Sequence, residues 1–504
     1  MKHIVLFGAG KSATALIQYL VMTSEQEHWR LTVADSDAAL VRSKTGNSKV
    51  AAVASFDVAI GNDRAALIKS ADIVISLLPP SLHYLVATDC LAFSKNLLTA
   101  SYIDEKIRSL STAIKEKQLL FLCEMGLDPG IDHMSAMKLI DSIRGHGGKI
   151  FSFHSHCGGL VAPESDDNPW RYKVSWNPRN IVLAGKAGAN FLENGESKHI
   201  SYEELFDESR RVSIPTLGEL SWYPNRDSVS YMPVYGLDDA ETFIRTTLRY
   251  PDFSFGWKNI LDLKLTDETV QYDTNDMSLQ QFFQMHFHQY GFSEWIEKRL
   301  TSRFTQTKEL LDKLQELLEA EEEAVQAAGD RESQEIMMVD DKGELKDLNL
   351  DDVKQNAAAT VAGTMLEANL AIKQLIFLGI NDDETKINKG LCSAADILQF
   401  ALEKKLALKD TDHDMVVMLH EVGYTLAGKK KIARSFLIDT GIDAVNTAMS
   451  KTVGLPLGIA AKLILQNKIK VDGLCIPTLK EIYEPVLREL GEQGIRFEER
   501  DESV

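Results

Sequence analysis

The chain has 504 residues, of which 44% are hydrophobic and 26% are charged. These values are typical of a globular protein and exclude a disordered or fibrous chain. The length predicts two to four domains, because one hydrophobic core stops growing near about 250 residues. The formal net charge of -19 disfavours nucleic acid or an anionic membrane as a partner, and no uninterrupted apolar stretch approaches the ~20 residues of a spanning helix.

The first hundred residues alternate between predicted strands and helices. Residues 4–7 form a continuous apolar run, typical of a buried parallel strand, and residues 11–22 have helical spacing. Further strands are predicted at residues 31–34, 73–78, 96–100 and 119–123. Strands separated by helix-length segments predict right-handed βαβ units and a parallel sheet.

The pattern changes after residue 130. Alternation at residues 150–155 and 171–176 predicts strands of an open, partly antiparallel sheet with long loops. Two more strands, at residues 416–420 and 434–438, are joined by a basic turn and are expected to return to this second sheet.

From about residue 240 the pattern is mostly helical, and the last sixty residues are again helical. Helices are predicted at residues 305–328 and 357–378. Between them, residues 316–352 carry 14 acidic and 3 basic residues. Such a charge run is typical of a solvated face, so we expect an exposed helix followed by a loop.

The cysteines predict neither a disulfide framework nor a metal site. None belongs to a CxxC pair or to a cluster with zinc spacing. They are Cys90, Cys123, Cys157, Cys392 and Cys475. Residues 1–7 predict a strand that enters a glycine turn and not a signal peptide. We therefore expect a cytoplasmic protein with reduced thiols and, by default for a cytoplasmic chain of this size, a homodimer.

A glycine motif joins the first strand to the first helix. The segment Gly8-Ala9-Gly10-Lys11-Ser12-Ala13 fits G-x-G-x-x-A. The first glycine permits a tight turn, the second lets backbone N–H groups approach a pyrophosphate, and the alanine allows close helix packing. The motif therefore predicts a dinucleotide site.

An acidic residue bears on which dinucleotide is bound. Asp35 ends the second predicted strand, where a carboxylate accepts hydrogen bonds from the adenosine ribose hydroxyls. That charge would repel the 2′-phosphate of NADP. Arg42 and Lys44 follow a few residues later and are able to reach a phosphate. We expect NAD, with NADP as the alternative.

Several long motifs in order carry a resemblance to a known family. The segments are SLLP at 76–79, TASYI at 99–103, EMGLDPGIDH at 124–133, CGGL at 157–160 with APE at 162–164, NP at 168–169, RYKVSW at 171–176, YPNRDS at 223–228 and TLRY at 247–250. The chain thereby resembles the glutamate-forming saccharopine dehydrogenases. The match is strong over residues 1–255, weak over 260–405 and recovers from residue 414.

The resemblance implies an α/β fold with three parts. These are a Rossmann dinucleotide-binding domain over residues 1–130, completed by about 445–504; a mixed α/β substrate domain over 131–240 and about 406–444; and a mostly helical domain with the acidic insert over 241–405. It also implies the reaction: NAD(P)-dependent oxidation of saccharopine with water to L-glutamate and 2-aminoadipate-6-semialdehyde, or the reverse, in lysine metabolism.

The resemblance also implies site residues. Saccharopine carries three carboxylates, and arginine binds a carboxylate through a planar fork. The implied substrate-binding residues are Ser101, Tyr102, Arg226, Thr247, Leu248 and Arg249. The implied cofactor-binding residues are Gly8, Gly10, Lys11, Ser12, Ala13, Asp35, Asp57, Leu77, Leu78, Leu127, Asp128, Pro129 and Ser175.

For catalysis, Asp128 is the leading candidate for proton transfer or for stabilising the iminium, with a turn-capping role as the alternative. Cys157 is a second catalytic candidate near the nicotinamide. His133 is expected to be structural, and Lys173 is an acid/base or carboxylate-contact candidate. His156 stands where the family usually has tyrosine, a difference that bears on the local polarity and on the pH profile.

Two other functions stay open. One is a reductive condensation of another amine with an aldehyde, as in carboxynorspermidine synthases; the YPNRDS and TLR segments favour the saccharopine branch instead. The other is a non-catalytic, metabolite-binding scaffold. Retention of Gly8, Gly10, Asp128, Arg226 and Arg249 argues against it.

Overall fold

The computed structural model describes residues 1–207, 210–291, 295, 337–339, 345–347 and 366–503. The chain divides into two compact units. The first comprises residues 1–254 and 402–504, and the second comprises residues 255–401.

The amino-terminal part of the first unit alternates strands and helices, as the sequence pattern predicts. Its strands are β1 (His3–Phe7), β2 (Arg30–Asp35), β3 (Ala51–Ser55), β4 (Ile73–Ser76), β5 (Asn96–Thr99) and β6 (Leu120–Leu122). Its helices are α1 (Thr14–Glu27), α2 (Ala38–Thr45), α3 (Gly61–Ser70), α4 (Pro80–Ala92), α5 (Glu105–Arg108) and α6 (Ser111–Glu116). All five residues of β1 are buried, which is why its sequence reads as a continuous apolar run.

A long helix then leads into the second sheet. The elements are α7 (Ile131–Gly145), β7 (Lys149–Val161), α8 (Pro178–Val182), β8 (Ala189–Glu193), β9 (Glu196–Ile200), β10 (Arg210–Ile214), β11 (Gly218–Pro224), β12 (Arg226–Asp227), α9 (Met232–Tyr235) and β13 (Thr242–Arg249).

The described part of the second unit is mostly helical. Its elements are α10 (Pro251–Asp262, which begins in the first unit), β14 (Val270–Asp273), α11 (Leu279–Tyr290), β15 (Met337–Val339), β16 (Leu345–Asp347), α12 (residues 366–378), β17 (Leu391–Ser393) and α13 (Ala394–Lys405). Strands β14 and β17 pair antiparallel, as do β15 and β16.

The chain then returns to the first unit and contributes to both of its sheets. The elements are β18 (Asp414–Leu426), β19 (Lys429–Thr440), α14 (Ala448–Leu465), β20 (Gly473–Cys475), α15 (Lys480–Glu492) and β21 (Glu498–Ser503).

The first sheet is parallel, with strand order β20-β6-β5-β4-β1-β2-β3. The second sheet has ten strands, and its main path is β10-β11-β13-β7-β18-β19-β21. Within it β13 runs parallel to β7, whereas β18 runs antiparallel to both β7 and β19. Strands β18 and β19 contain the two predicted at residues 416–420 and 434–438, and β7 contains the one predicted at 150–155.

Helix α14 packs against α1 through small residues. A Cβ added at Gly454 would lie 2.9 Å from the backbone nitrogen of Leu16, so only glycine permits this approach. Among the described residues, α14 alone is long and apolar enough to cross a membrane by length and composition. Because 78% of it is buried inside the protein, it has the character of a core helix.

Some sequence predictions differ from the structure. Residues 171–176 form a loop and not the predicted strand. Their pairing with other strands is limited to one isolated β-bridge, between Val174 and Ala407. The last sixty residues include β20 and β21 besides helices. Strand β13 places residues 242–249 in the second sheet, so the helical unit begins near residue 255 and not 241. The helix predicted at 305–328, residues 357–365 and most of the acidic run lie outside the described residues.

Candidate functional site

Five of the predicted cofactor and substrate residues lie at the carboxyl ends of the strands of the parallel sheet. Gly8 follows β1, Asp35 ends β2, Leu77 follows β4, Tyr102 follows β5 and Asp128 follows β6. The strand order reverses direction at β1 and β4. In open α/β sheets, ligands bind at such a reversal, outside the carboxyl ends of the strands.

The glycine turn has the geometry of a phosphate cradle. Gly8 has a φ of +101°, and a Cβ there would lie 2.4 Å from the carbonyl oxygen of Leu77. A Cβ at Gly10 would meet nothing within 4 Å, so the space above the turn is open. The 3₁₀ turn Lys11–Ala13 then leads into α1. These residues fit a dinucleotide pyrophosphate.

Asp35 is engaged within the protein. Its Oδ2 accepts a hydrogen bond from Ala9 N at 2.7 Å, and its Oδ1 accepts one from Asp37 N at 3.0 Å. Lys44 lies beside the same turn and donates from Nζ to the carbonyl oxygen of Gly10 at 2.6 Å. Burial lowers the pKa of Lys44 to about 8, although Asp35 opposes this shift. A cation therefore lies at the ribose end of the cradle.

Other predicted cofactor residues differ in how directly they reach the crevice. Leu77 and Leu78 are half-buried at the end of β4, and Leu127 is buried in the loop after β6. Asp57 is exposed and caps a local turn by accepting from Ala59 N at 2.9 Å. Ser175 is buried in the loop of residues 171–176, and the contacts of the described residues do not link it to the glycine turn.

A histidine missed by the sequence analysis holds Ser101 in place. His83 of α4 is 4% exposed; its Nδ1 lies 2.8 Å from Ser76 Oγ and its Nε2 lies 2.8 Å from Ser101 Oγ. Burial lowers the pKa of His83 to about 4, so the ring is neutral. If Ser76 donates to Nδ1, the Nε2–H donates to Ser101, and the Ser101 hydroxyl hydrogen is free for a ligand.

The loop that carries Asp128 needs a glycine behind it. Gly130 has a φ of +148°, and a Cβ there would lie 2.0 Å from the carbonyl oxygen of Gly126. Gly126 N donates back to the carbonyl oxygen of Pro129 at 2.9 Å. The tight closure presents Asp128 at the edge of the sheet, and the Asp128–Pro129 peptide bond is cis.

Asp128 belongs to a buried charged cluster centred on Arg245. The Nη2 of Arg245 lies 2.7 Å from Asp128 Oδ1 and 2.7 Å from Asp132 Oδ2. The hydroxyl of Tyr102 donates to Asp128 Oδ1 at 3.3 Å. Burial raises the pKa of Asp128 above its ordinary value; the Asp132 carboxylate raises it further and Arg245 opposes both.

His133 fixes the start of α7. Its Nδ1 lies 2.6 Å from the hydroxyl of Tyr235, and its Nε2 lies 2.9 Å from Glu124 Oε2. Tyr231 also donates to Glu124 Oε2, at 2.9 Å. His133 therefore has both ring nitrogens engaged and no exposed surface, and its structural role stays a prediction.

The two predicted arginines differ in setting. Arg226 is exposed, and its guanidinium lies 5.0 Å from the centre of the Tyr102 ring. Arg249 is 4% exposed, lies 5.4 Å from the rings of Tyr172 and Phe253, and donates from Nη1 to the carbonyl oxygen of Leu248 at 2.7 Å. Among the described residues Arg249 has no carboxylate partner, and its Nε has no hydrogen-bond partner.

Neighbouring predicted residues face different sides of the second sheet. Side chains alternate along a strand, so Thr247 and Arg249 share one face of β13. Thr247 pairs in register with Cys157 of β7. Leu248 faces the other side, in an apolar cluster with Leu160 and Leu220. The structure therefore removes the Leu248 side chain from the site and leaves its carbonyl group as a support for Arg249.

Three further candidates from the sequence occupy settings that limit their chemistry. Burial raises the pKa of the Cys157 thiol well above its ordinary value, and Asp128 raises it further, so the thiol is neutral. Lys173 is held by Asp412 at 2.7 Å and Asp167 at 2.9 Å. His156 faces away from Cys157, because the two are consecutive on β7.

Two family models match the chain. The model of the saccharopine dehydrogenase NADP binding domain covers residues 4–122, and that of the saccharopine dehydrogenase C-terminal domain covers residues 126–495. The chain belongs to the saccharopine dehydrogenase family. The NADP-binding model supports use of NAD(P) and goes against the expectation of NAD over NADP, which rested on Asp35. In the structure the Asp35 carboxylate accepts two backbone N–H groups, and Lys44 lies beside the same turn.

Curated relatives match almost the whole chain. Alpha-aminoadipic semialdehyde synthase of Arabidopsis thaliana is 32% identical over 99% of this chain, which spans 45% of that relative's length. Saccharopine dehydrogenase [NADP(+), L-glutamate-forming] of Saccharomyces cerevisiae is 30% identical, with 99% of each chain covered. A solved structure, apo histidine-tagged saccharopine dehydrogenase (L-Glu forming) from the same yeast, has a TM-score of 0.76 at 27% identity, with both chains fully covered.

Two parts of the site in this saccharopine dehydrogenase family member, Arg245 and His83, were not predicted from the sequence, whereas Lys44 was named there as a residue able to reach a phosphate. Arg245 lies two residues before the TLR segment, on the same face of the strand as Thr247, so strand alternation was an available signal. His83 is three residues beyond Pro80 in α4, and no local pattern marks it.

Proposed function

We propose that the chain oxidises saccharopine with NADP+ and water to L-glutamate and 2-aminoadipate-6-semialdehyde, or catalyses the reverse, in lysine metabolism. Membership of the family and the activity for which the yeast relative is named, with 99% of both chains covered, support this assignment. The chemistry requires a nicotinamide held beside the substrate carbon, cations for three carboxylates and a group that moves protons.

The single observation that carries the proposal is the buried guanidinium of Arg249. A buried charge without a counter-charge is costly. Among the described residues this cation has aromatic rings, one carbonyl group and an unpaired Nε, but no carboxylate. A carboxylate supplied by the substrate would complete it. Arg226, stacked over Tyr102 at the open side, is suited to a second carboxylate.

Asp128 is the proposed proton-transfer group. The bound cofactor supplies a nicotinamide that accepts the hydride from the carbon beside the secondary amine. Asp128 takes the proton from that amine before the hydride leaves and releases it to solvent through its open Oδ2. The carboxylate so restored then takes a proton from the water that adds to the C=N bond. Tyr102 donates to Asp128 at 3.3 Å and orients it. Cys157, with its neutral thiol, serves as packing and not as a nucleophile.

NADP is the proposed cofactor because of the charges around the glycine turn. Asp35 is satisfied by Ala9 N and Asp37 N, and Lys44 supplies a nearby ammonium. A 2′-phosphate would interact favourably with that ammonium. The family model for residues 4–122, an NADP binding domain, supports the same choice.

The decisive assay follows nicotinamide reduction by absorbance with purified protein, saccharopine and either NADP+ or NAD+. We expect turnover with both substrates present and a preference for NADP+.

Arg249→Ala should raise the KM for saccharopine by about 30-fold or more, because a charge-assisted bidentate contact contributes roughly 2–3 kcal/mol. Arg488→Ala, an exposed arginine on α15, is the matched control and should leave KM unchanged. Absence of turnover in protein that binds NADP+ would overturn the proposal.

A further inference from the structure

The contacts of Asp128 and Asp132 differ although both bind the same guanidinium nitrogen. Asp132 is 1% exposed in its side chain, and it accepts from Gly130 N at 2.6 Å as well as from Arg245 Nη2. His133 Nδ1 lies 3.8 Å from its Oδ2. The side chain of Asp128 is 13% exposed, and its Oδ2 has no hydrogen-bond partner among the described residues. One carboxylate is thus enclosed by donors, and the other keeps an oxygen open to the crevice.

Arg245 is held in place independently of the two carboxylates. Its guanidinium lies 4.5 Å from the centre of the Tyr231 ring and 5.9 Å from that of Tyr102. Its side chain is 2% exposed. The backbone is also restrained, because Arg245 N donates a hydrogen bond to Ser228 Oγ at 2.9 Å. A guanidinium fixed in this way places Asp128 Oδ1 within reach of the Tyr102 hydroxyl.

We propose that Arg245 and Asp132 are positioning residues for Asp128. Arg245 holds the Asp128 carboxylate beside Tyr102, and Asp132 supplies a fixed negative charge that lets Asp128 accept a proton. This inference rests on the proposed function, in which Asp128 transfers the proton. Two neighbouring carboxylates whose settings favour opposite protonation states are a recurrent arrangement for acid–base chemistry.

The charges around Asp128 support this division. Burial alone would raise the pKa of Asp132, but His133, Arg245 and the Gly130 N–H together hold it below its ordinary value. The remaining titratable groups near Asp128 are neutral donors or thiols, since burial raises the pKa of each: Tyr102, Cys157, Tyr231 and Tyr235. Among the described residues, Asp132, Arg245 and His133 are the charged groups that act most strongly on Asp128, and the guanidinium of Arg226 lies 5.0 Å from the centre of the neighbouring Tyr102 ring.

The test is the pH dependence of kcat/KM for saccharopine oxidation in Asp132→Asn and Arg245→Gln, each compared with the unsubstituted protein. Removing the Asp132 charge should move the acid limb to lower pH by about one unit, and removing the Arg245 charge should move it to higher pH. Arg245→Lys keeps the positive charge, so the acid limb of its pH profile should lie close to that of the unsubstituted protein. Tyr231→Phe removes the hydroxyl bonded to Glu124 without removing a charge, and should leave the limb in place.

A structural role alone would lower activity at every pH without moving the limb, and that result, or two shifts of the same sign, would overturn the inference. A second measurement does not depend on turnover or on these variants folding. The infrared difference between the unsubstituted protein and Asp128→Asn, followed against pH, should show one carboxyl group titrating above the ordinary aspartate range. Its absence would overturn the positioning role, whereas a carboxyl that titrates in protein without saccharopine turnover would leave the inference standing and reject the proposed function alone.

Discussion

The glycine turn after β1 and the charged cluster around Arg245 lie in the same unit but depend on different kinds of interaction. At the turn, a local run of six residues determines the backbone path, and the space for a ligand comes from the missing side chains of Gly8 and Gly10. In the cluster, Asp128 and Arg245 are 117 residues apart in sequence, and the site depends on side chains that meet only after both sheets have formed.

The comparison shows why one half of a site is easier to recognise than the other. Backbone geometry imposes spacing on consecutive residues, and spacing is visible in a sequence. A long-range ion pair imposes no spacing. The pairing of Arg245 with Asp128 and Asp132 requires that β13 lie beside β7 and that the start of α7 lie close to β13. The sequence of a single segment does not show that arrangement.

The largest effect that tests this contrast is expected at Gly8. Gly8→Ala forces a Cβ to within 2.4 Å of the Leu77 carbonyl oxygen at a φ of +101°, so we expect a loss of roughly 2–4 kcal/mol in the free energy of unfolding together with loss of nucleotide binding. Gly10→Ala is the matched control. Its Cβ meets nothing within 4 Å, so thermal stability should be unchanged while nucleotide affinity falls.

Thermal melts of the two variants without nucleotide, followed by nucleotide titration, separate the effects. Equal destabilisation of both variants would show that the turn is not defined by the backbone contact at Gly8 alone, and the contrast between the two regions would fail.

A smaller effect should come from a side chain at the turn. Lys44→Ala should weaken NADP+ binding by about 10-fold or more, since a charge-assisted contact contributes roughly 1.5–3 kcal/mol, and should leave NAD+ binding nearly unchanged. Because the pKa of Lys44 is lowered to about 8, the ammonium is present below that pH and lost above it. NADP+ affinity should therefore fall as pH rises through about 8, and this dependence should disappear in the variant. Dissociation constants from nucleotide fluorescence check both statements, with Lys49→Ala on the same part of the chain as a control. Equal loss for NAD+ and NADP+ would contradict the assignment.

His83 gives an intermediate effect on the substrate side. His83→Leu removes the ring that bridges Ser76 and Ser101, and the KM for saccharopine should rise by about 5- to 10-fold, the equivalent of one net hydrogen bond. Ser101→Ala should have a similar effect. The double variant should be little worse than either single variant, because both act on one interaction. Steady-state kinetics of the cycle provide the measurement, and fully additive effects would show that His83 does not act through Ser101.

The smallest effect is expected at His156, where the family usually has tyrosine. Its Nδ1 lies 2.7 Å from Thr246 Oγ1 and its ring packs on Trp222, on the face of β7 opposite Cys157. His156→Tyr should therefore leave the pH profile of kcat/KM unmoved. A displaced acid limb would mean that the far face of the second sheet communicates with Asp128.

Much of the fold was accessible from the sequence because hydrophobic periodicity follows local burial. The strands that line the crevice, β1, β2, β4, β5 and β6, were predicted within a few residues. The central parts of β18 and β19 were also predicted, but β18 continues to Leu426 and β19 begins at Lys429. Strands β20 and β21 were missed because each lies within a helical pattern and pairs only with a distant part of the chain. Residues 171–176 alternate as a strand does, but only one bridge forms.

The site was predicted in the same uneven way. The glycine motif predicted Gly8 as a site residue, and the resemblance to the family implied Asp128, Arg226 and Arg249. These motifs did not indicate that the Asp35 carboxylate accepts hydrogen bonds from two backbone N–H groups. Nor did they indicate that the Leu248 side chain lies in an apolar cluster on the other face of its sheet. The partners that set the properties of Asp128 and Ser101, namely Arg245 and His83, come from other elements and became visible only in three dimensions.

The return of the chain from the second unit to both sheets has a consequence for synthesis on the ribosome. Strand β20, at residues 473–475, covers the outer side of β6, and β21, at residues 498–503, covers part of the outer side of β19. Until those residues emerge, β6 and the whole of β19 are outer strands with an unpaired side, which is a template for aggregation. We expect a nascent chain of this protein to expose these two sides until its last thirty or so residues have been translated, and a fragment that ends near residue 254 to expose the side of β6 and, because it lacks β18 and β19, the side of β7.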